Sequence, residues 1–478
     1  MPPRNDRPEI PTGWFQRGAR LAGQTGKSTA RFIGTRMKAF AAPERAQEFL
    51  SGFHQQTAQQ LVQMLGEMKG AAMKVGQLAS FYEFSVPGEY LATYRDALTM
   101  LQNSAPPMDP EASRAVIKRE FGRSVEEVFT DFNDQPVAAA SIGQVHRARL
   151  PTGQDVAVKV QYPGVDDAVR ADIKNVSAMT KLAVAIAPNI DPKDIANEVK
   201  ERVLEELDYR REASNQARFA ELYAGHPYIV VPKVFPEYCR QRVITQEFIT
   251  GQPFLSALEW DQEDKDRLAE TVFRFFYGSL NRFLLFSADP HPGNYLLLGK
   301  KKVAFLDFGL VRALDPGTLD LLLEVVQALI TEDRERGRAA MEGLGILHHR
   351  TPDIDAIWDT LKLLNAPVLE DAPFRIDPPL VHEIAAAGFD PRSRAFQILR
   401  KVGLPGVMVT FNRMSFGVAS LLARLEATAN WQAIARELWA GEPSQTDLGK
   451  AEQKWLHAAH PDHVPPLVAM PGNGSARS

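Results

Sequence analysis

The sequence predicts an α+β fold in which short strand pairs are segregated from long helical stretches. Three observations carry this. "GQVHRARL" and "DVAVKVQY" alternate on either side of the turn "PTGQ", and "NYLLLGKKKVAFLDFG" places two apolar strands around "GKKK". Apolar residues recur at steps of three and four through much of the rest of the chain. At 478 residues the chain exceeds one ordinary compact core, so two or three domains are expected. No internal repeat is visible.

Residues 10 to 43 contain Arg17, Arg20, Lys27, Arg31, Arg36 and Lys38 and no acid, with Trp14, Phe15, Phe32, Ile33 and Phe40 interspersed. Segment 1–43 is therefore either a flexible basic tail or a surface segment that touches anionic lipid. Gly26-Lys27-Ser28 does not complete a phosphate-binding P-loop, because Leu21 stands where that motif needs a glycine and no strand pattern precedes it. Leu50, Phe53, Leu61, Leu65, Met68, Ala72, Val75 and Ala79 give 44–107 a helical period, and "SAPPMD" marks its end. A short helix is expected around Glu111 to Glu120, followed by "PVAAASIGQVHRA" and the first hairpin. A helical insert runs through about Ala187. One further helix is expected to carry "EVKERVLEELDYRREASNQARFAEL", and "QRVITQEFITG" reads as a strand ended by Gly251. These elements fill 108–250. From 251 to 440 the chain is mostly helical apart from the second hairpin. Asp315-Pro316 supplies a cap and a first-turn proline for a helix bearing Leu319, Leu322, Leu323, Val326 and Ile330 on one face. Residues 441–478, with "PSQTD" and "PGNGSARS", read as a poorly ordered tail.

The net charge of −4 argues against nucleic acid as a partner. Cys239 is the single cysteine, so no disulfide can form within the chain, and a reducing compartment fits. The most apolar run, from Val402, is interrupted by Arg413, Gly403, Pro405 and Gly406, and no apolar leader is visible. A cytoplasmic protein, at most peripheral to a membrane, is the expectation.

Four pieces that suit phosphoryl transfer occur in one order. In the first stretch Ala138, Ala140, Gly143 and Val145 hold the positions of a G-x-G-x-x-G-x-V phosphate loop, with alanine for the first two glycines. Val156-Ala157-Val158-Lys159 matches the lysine strand that follows such a loop. Asp289 and Asn294 in "ADPHPGN" have the D-x-x-x-x-N spacing of a catalytic loop. Asp307-Phe308-Gly309 ends the second hairpin as a metal-binding D-F-G. Each piece alone is weak, and any one carboxylate could be a surface ion pair or a helix cap. In this order and on these local structures they point to a site for ATP and Mg²⁺. ATP brings several negative charges that must be held and neutralised. Lys159 would hold the α- and β-phosphates, with Glu212 as its carboxylate partner. Asp307 and Asn294 would supply oxygen ligands to Mg²⁺. Asp289 would face the acceptor hydroxyl or water.

The set resembles the UbiB/AarF family of atypical protein-kinase-like proteins, linked to coenzyme Q and other prenyl-lipid pathways. Three further motifs carry the resemblance: Lys74, Gly76 and Gln77 of "MKVGQLAS", Glu206 and Asp208 of "EELDYRREASN", and the alanine-rich "AAASIGQVHRA". It covers about residues 60 to 335. It implies a two-lobed protein-kinase-like fold with a helical N-terminal extension and a mainly helical C-lobe. It also implies binding of ATP and ADP, ATP hydrolysis, and lipid-like or phenolic quinone-precursor partners at membranes. In such proteins Lys74 and Gln77 would lie across the peptide-substrate position, with Glu206 and Asp208 near nucleotide and metal. Ala138, Ala139, Ala140, Ser141, Gly143 and Val145, with Glu247 and Ile249 of the strand before Gly251, complete the expected nucleotide contacts.

No A-P-E motif follows Asp307, and few residues separate Gly309 from Asp315, so the platform on which a protein kinase docks a peptide is missing. Two alternatives stay open: a soluble small-molecule phosphotransferase, whose D-x-H-P-x-N loop matches Asp289, His291, Pro292 and Asn294, and a nucleotide-binding scaffold without catalysis. His291 is expected to make structural hydrogen bonds. His457, His460 and His463 are spaced by three but interrupted by Pro461, which argues against a metal site. His348 and His349 read as surface residues. Trp431, Trp439 and Trp455 are expected to pack C-terminal helices.

Overall fold

The computed structural model describes residues 108–140, 142–166, 207–347, 354–389 and 406–461. The expectations for residues 1–107, with Lys74 and Gln77, and for Ser141, the insert through Ala187, Glu206, His348, His349 and His463 lie outside the described residues.

The first lobe is a four-stranded antiparallel sheet with a helix on each side. Helix α1 (Pro110–Phe121) starts at Asp109, whose carboxylate accepts the Glu111 N–H, and stops at Gly122 with φ +67°. The sheet order is β1 (Asp131–Ala140), β2 (Gly143–Arg149), β3 (Asp155–Gln161) and β4 (Val243–Glu247). Val116 and Ile117 of α1 pack on Val156, Val158 and Val160, the back of the sheet. The alanine-rich stretch is mostly strand: Ala138, Ala139 and Ala140 pair with Val145, Gln144 and Gly143, leaving only positions 141 and 142 between β1 and β2. Pro136 is tolerated because β1 is an edge strand with irregular register on both sides of that residue.

Helix α2 (Tyr209–Leu222) packs on the front of the sheet, where Tyr209 and Ala213 meet Ile142, Val234 and Ile244. It is shorter than the single helix expected across 198–222. Asp208 has extended backbone and accepts the Arg210 N–H, so this helix begins at a cap. Leu207 and Asp208 are not helical.

The second lobe is built around α3 (Gln262–Phe283), which is buried along most of its length. Beside it lie a hairpin, β6 (Tyr295–Leu298) with β7 (Lys302–Phe305), and the pair β5 (Leu285–Ser287) with β8 (Val311–Ala313). Helix α4 (Pro316–Thr331) starts as expected, with Asp315 accepting the Thr318 N–H at 3.0 Å. Helices α5 (Gly406–Arg424), α6 (Trp431–Ala440) and α7 (Asp447–Ala459) close the lobe.

Helix α7 overturns the reading of 441–478 as tail from its start. Its Glu452 is fully buried and accepts hydrogen bonds from Arg274 at 2.8 Å and Arg282 at 2.9 Å, both on α3. Glu437 of α6 pairs with Arg274 at 2.7 Å. A buried ionic cluster anchors these helices. Trp431, Trp439 and Trp455 are buried among the helices. His460 lies 2.9 Å from the Leu222 carbonyl and His457 2.7 Å from the Gln453 carbonyl. Helix α5 is long and apolar enough to cross a membrane by length and composition, but nearly half of that stretch, 44%, is buried inside the protein. Val418, Leu421 and Leu422 on α5 belong to the core that also holds Phe275 and Phe276 of α3.

Candidate functional site

The front of the sheet, on which α2 packs, carries a continuous row of side chains. Val145, Lys159 and Ile244 are directly opposed across β2, β3 and β4, so their side chains share that face. Lys159 Nζ donates to Glu212 Oε1 at 2.8 Å and lies 4.0 Å from Asp307 Oδ2 and 4.9 Å from the centre of the Tyr209 ring. Burial alone would push the Lys159 ammonium down. The charge of Glu212, with Tyr209 and Asp307 behind it, outweighs burial and holds it above the ordinary lysine range.

Glu212, Asn215 and Phe219 sit on one face of α2, at helical spacing. That face is bound to the D-F-G segment. Asn215 Nδ2 donates to the Phe308 carbonyl at 3.0 Å, and the buried Phe308 ring packs 4.9 Å from Phe219. Phe308 also contacts Phe275 of α3. The helix that supplies Glu212 and the segment that supplies Asp307 are therefore fixed to each other. Asp307 Oδ1 in turn accepts the Gly309 N–H at 2.9 Å.

The loop from 288 to 294 is tied to the same segment. Ala288 N–H bonds the Leu310 carbonyl, and Leu306 N–H bonds the Asn294 carbonyl. His291 Nδ1 accepts the Gly293 N–H at 3.1 Å, a structural bond of the kind expected. Asn294 Nδ2 donates to the Asp289 carbonyl at 3.2 Å, so the amide oxygen is not the atom that holds the loop. Asp289 is 5 % exposed and pairs with Arg413 of α5 at 2.9 Å. Arg413 had been visible only as an interruption of an apolar run. That interruption, an arginine inside an otherwise apolar run, is the signal.

Gly143 has a different reason to be glycine than freedom in a turn. Its φ is not positive, and a Cβ there would lie 2.2 Å from the Val160 carbonyl oxygen. Close contact between β2 and β3, one residue from Lys159, excludes any side chain. Ala138 and Ala139 are exposed on the edge strand, and Ala140 is half-buried. Glu247 uses its N–H and its carboxylate on Lys233, and Ile249 lies half-buried past the end of β4. Asp208 caps α2 and pairs with Arg210 at 2.6 Å; the Arg210 bond holds its carboxyl below the usual range. The site thus brings Lys159, Glu212 and Asp307 together, ties the Asp289–Asn294 loop to the D-F-G segment, and leaves Asp208 committed to its own helix.

The ABC1 atypical kinase-like domain matches residues 100–341. The chain is similar to the chloroplastic protein ACTIVITY OF BC1 COMPLEX KINASE 8 of Arabidopsis thaliana, 33% identical over 297 residues, which cover 60% of this chain and 38% of that one. It is similar to the mitochondrial atypical kinase COQ8 of Saccharomyces cerevisiae, 31% identical over 392 residues, covering 78% of this chain and 74% of the relative. The chain thus spans well under half of the Arabidopsis protein and about three quarters of the yeast one. A Mycobacterium tuberculosis protein, Rv3197, solved in complex with erythromycin, superposes with a TM-score of 0.61 at 32% identity, covering 83% of this chain and 100% of that one. Motif order, lobe architecture and these matches agree: the chain belongs to the ABC1 atypical kinase-like family, the UbiB family.

Proposed function

We propose that the protein binds Mg-ATP between its lobes and either hydrolyses it or passes the γ-phosphoryl group to a small or lipid-like acceptor, in support of quinone or prenyl-lipid metabolism. The observation that carries this reading is the Lys159–Glu212 pair at 2.8 Å with Asp307 4.0 Å from the same ammonium. Lys159 is then pre-positioned, and little ordering remains to be done when phosphates arrive. Val145 and Ala157 share the Lys159 face and offer apolar surface beside it.

The donor set fits Mg²⁺. Asp307 offers a carboxylate and Asn294 an amide oxygen, both hard ligands, and Mg²⁺ commonly takes one or two protein oxygens and completes its shell with phosphate oxygens and water. Among the described residues no cluster of three His, Cys, Asp or Glu would hold a metal without the nucleotide. When bound, the ion would neutralise phosphate charge. Asp289 orients the acceptor hydroxyl or water, and Arg413 holds its carboxylate in place. Only six residues, Leu310 to Asp315, separate Gly309 from the first residue of α4, and three of them form β8. This leaves no long segment for docking a peptide and supports a small acceptor over a protein one.

The test is phosphate release by the full chain with Mg-ATP, with and without anionic liposomes and a phenolic quinone precursor. Turnover that rises with liposomes or phenol supports the lipid-pathway reading. Turnover that rises only with a soluble hydroxylated acceptor favours the phosphotransferase alternative. Nucleotide binding with no phosphate release under any condition leaves a non-catalytic nucleotide-binding scaffold. Deleting residues 1–43 tests the membrane contact: loss of salt-sensitive sedimentation with the liposomes assigns it to the basic segment.

A further inference from the structure

Behind the alanine hairpin lies a chain of buried polar side chains that the proposed chemistry does not use. Gln144, His146 and Ser113 are each 1 % exposed or less. Gln144 and His146 alternate with Val145 on β2, so they point away from the Lys159 face and toward α1. Gln144 Oε1 accepts the Met108 N–H at 3.0 Å, where the chain enters α1. Its Nε2 donates to Ser113 Oγ at 3.0 Å and lies 3.0 Å from His146 Nε2. His146 Nδ1 lies 2.8 Å from the Asn133 carbonyl of β1.

Donor and acceptor counting fixes the orientation of the Gln144 amide and the tautomer of His146. A carbonyl only accepts, so His146 Nδ1 carries the hydrogen toward Asn133. The Met108 N–H only donates, so Gln144 turns its oxygen that way and its NH₂ toward His146 and Ser113. His146 Nε2 must then be bare, and the ring neutral. A second proton on His146 would set N–H against N–H. Flipping the Gln144 amide repairs that contact but turns its NH₂ onto the Met108 N–H. No amide orientation satisfies both neighbours once the ring is charged, and an unmet buried polar group is costly.

We propose that Gln144 is a positioning residue for the nucleotide hairpin, holding the pairing of Ala138–Ala140 with Gly143–Val145 in place only while His146 is neutral. This rests on the Mg-ATP reading of the Lys159 face. The consequence is a nucleotide grip that weakens as pH falls. The charged groups facing His146 are Asp134 on β1 and Arg114 on α1, paired with each other at 2.7 Å. Phe132 stacks on the ring at 4.8 Å, and Val158 is its partner on β3. Burial pushes the imidazole below its ordinary value, against the Asn133 hydrogen bond, which pulls the other way. A lowered histidine value means the unfolded chain takes up the proton first. The contribution is therefore full above about pH 6.5 and lost as pH falls below it.

The experiment compares wild type, Gln144→Glu and His146→Gln in the full chain, reading Mg-ATP affinity and nucleotide-free thermal stability at pH 7.5 and 5.5. The carboxylate introduced by Gln144→Glu would accept from both the Met108 N–H and a charged His146, so this variant should prefer the acid form. It should bind about tenfold more weakly than wild type at pH 7.5, the worth of one mismatched buried hydrogen bond, and come within about twofold at pH 5.5. The stability gap without nucleotide should close in the same direction. His146→Gln has no titrating ring, so its affinity ratio between the two pH values should be severalfold smaller than that of wild type. Protonation of ATP itself and of His226, a second buried histidine, affects all three proteins alike and cancels. Parallel pH profiles for the three proteins would overturn the proposal. Absence of wild-type Mg-ATP binding at both pH values would overturn the nucleotide reading and the positioning role with it, while the nucleotide-free stabilities would still report the interlock.

Discussion

Lys159 Nζ lies 2.8 Å from Glu212 Oε1 and 3.1 Å from Oε2, joining β3 to α2 across 53 residues of sequence. Lys159→Met would take the ammonium away from the buried Glu212 carboxylate. Breaking such a pair costs about 3 kcal/mol, and Mg-ATP binding should be lost with it. Glu212→Gln keeps the shape and a hydrogen-bonding oxygen, so about 1 kcal/mol of stability and about tenfold in affinity should go. Urea denaturation and titration calorimetry measure both. Wild-type affinity in both variants would remove this pair from the site.

Two positions in the same hairpin should respond differently to small changes. Gly143→Ala drives a Cβ to 2.2 Å from the Val160 carbonyl oxygen, and β2 must part from β3 beside Lys159. About 2 kcal/mol of stability should be lost by overpacking, and nucleotide affinity with it. Ala140→Gly restores a phosphate-loop glycine at the cost of about 0.5–1 kcal/mol of chain entropy. It should change the ratio of ATP to ADP affinity and raise autophosphorylation, read by radiolabel incorporation. If neither ratio nor label moves, the alanines do not tune the site.

Arg413 reaches Asp289 from α5, at 2.9 Å. Arg413→Met should lower phosphate release by ten- to a hundredfold while Mg-ATP affinity stays within about threefold, because the contact is to the acceptor side and not to the phosphate lysine. If Arg413 acts through Asp289, the double variant with Asp289→Asn should be no slower than Asp289→Asn alone. Steady-state turnover of the four proteins decides it.

Glu452 carries the docking of α7. Burial would raise its carboxyl, but Arg282, His226 and Arg274 outweigh burial and hold it well below the carboxylate range. A lowered acid contributes stability above about pH 4.5 and loses it as pH falls through the lower folded value. Glu452→Gln should therefore cost about 3 kcal/mol at pH 7, and the gap to wild type should close only in strong acid. Thermal melts from pH 7 down to pH 3 read the gap. Equal stability of the two proteins at pH 7 would show that α7 is held by apolar contacts alone.

What the sequence made legible was local. Lys159, the Asp289–Asn294 loop and Asp307 each lie in a short run whose spacing follows from phosphate and metal chemistry, and both hairpins are bounded by turn residues. The Asp315-Pro316 cap was readable for the same reason. What was not legible depends on distant partners. Arg413 lies 124 residues from Asp289, and no local pattern joins them. Helix α7 was lost because its anchor is a buried carboxylate, which reads as a surface residue until Arg274 and Arg282 are placed around it. The steric demand on Gly143 comes from a strand 17 residues on, and no local pattern shows it. The break before α2 was readable in principle, since aspartate is a common cap, but the surrounding charges continue a helical pattern through Asp208.

The central claim, a Mg-ATP site assembled on Lys159, Glu212 and Asp307, is tested most directly by thermal-shift titration of wild type and Asp307→Asn with ATP, with and without Mg²⁺. A ligand that binds only the folded state stabilises it by an amount that grows with the logarithm of its concentration over its dissociation constant. The wild type should gain stability with Mg-ATP and less with ATP and chelator. Asp307→Asn, with one anionic ligand removed, should lose most of the Mg²⁺-dependent part while keeping its nucleotide-free melting temperature. The same Mg-ATP stabilisation in both proteins would contradict the account.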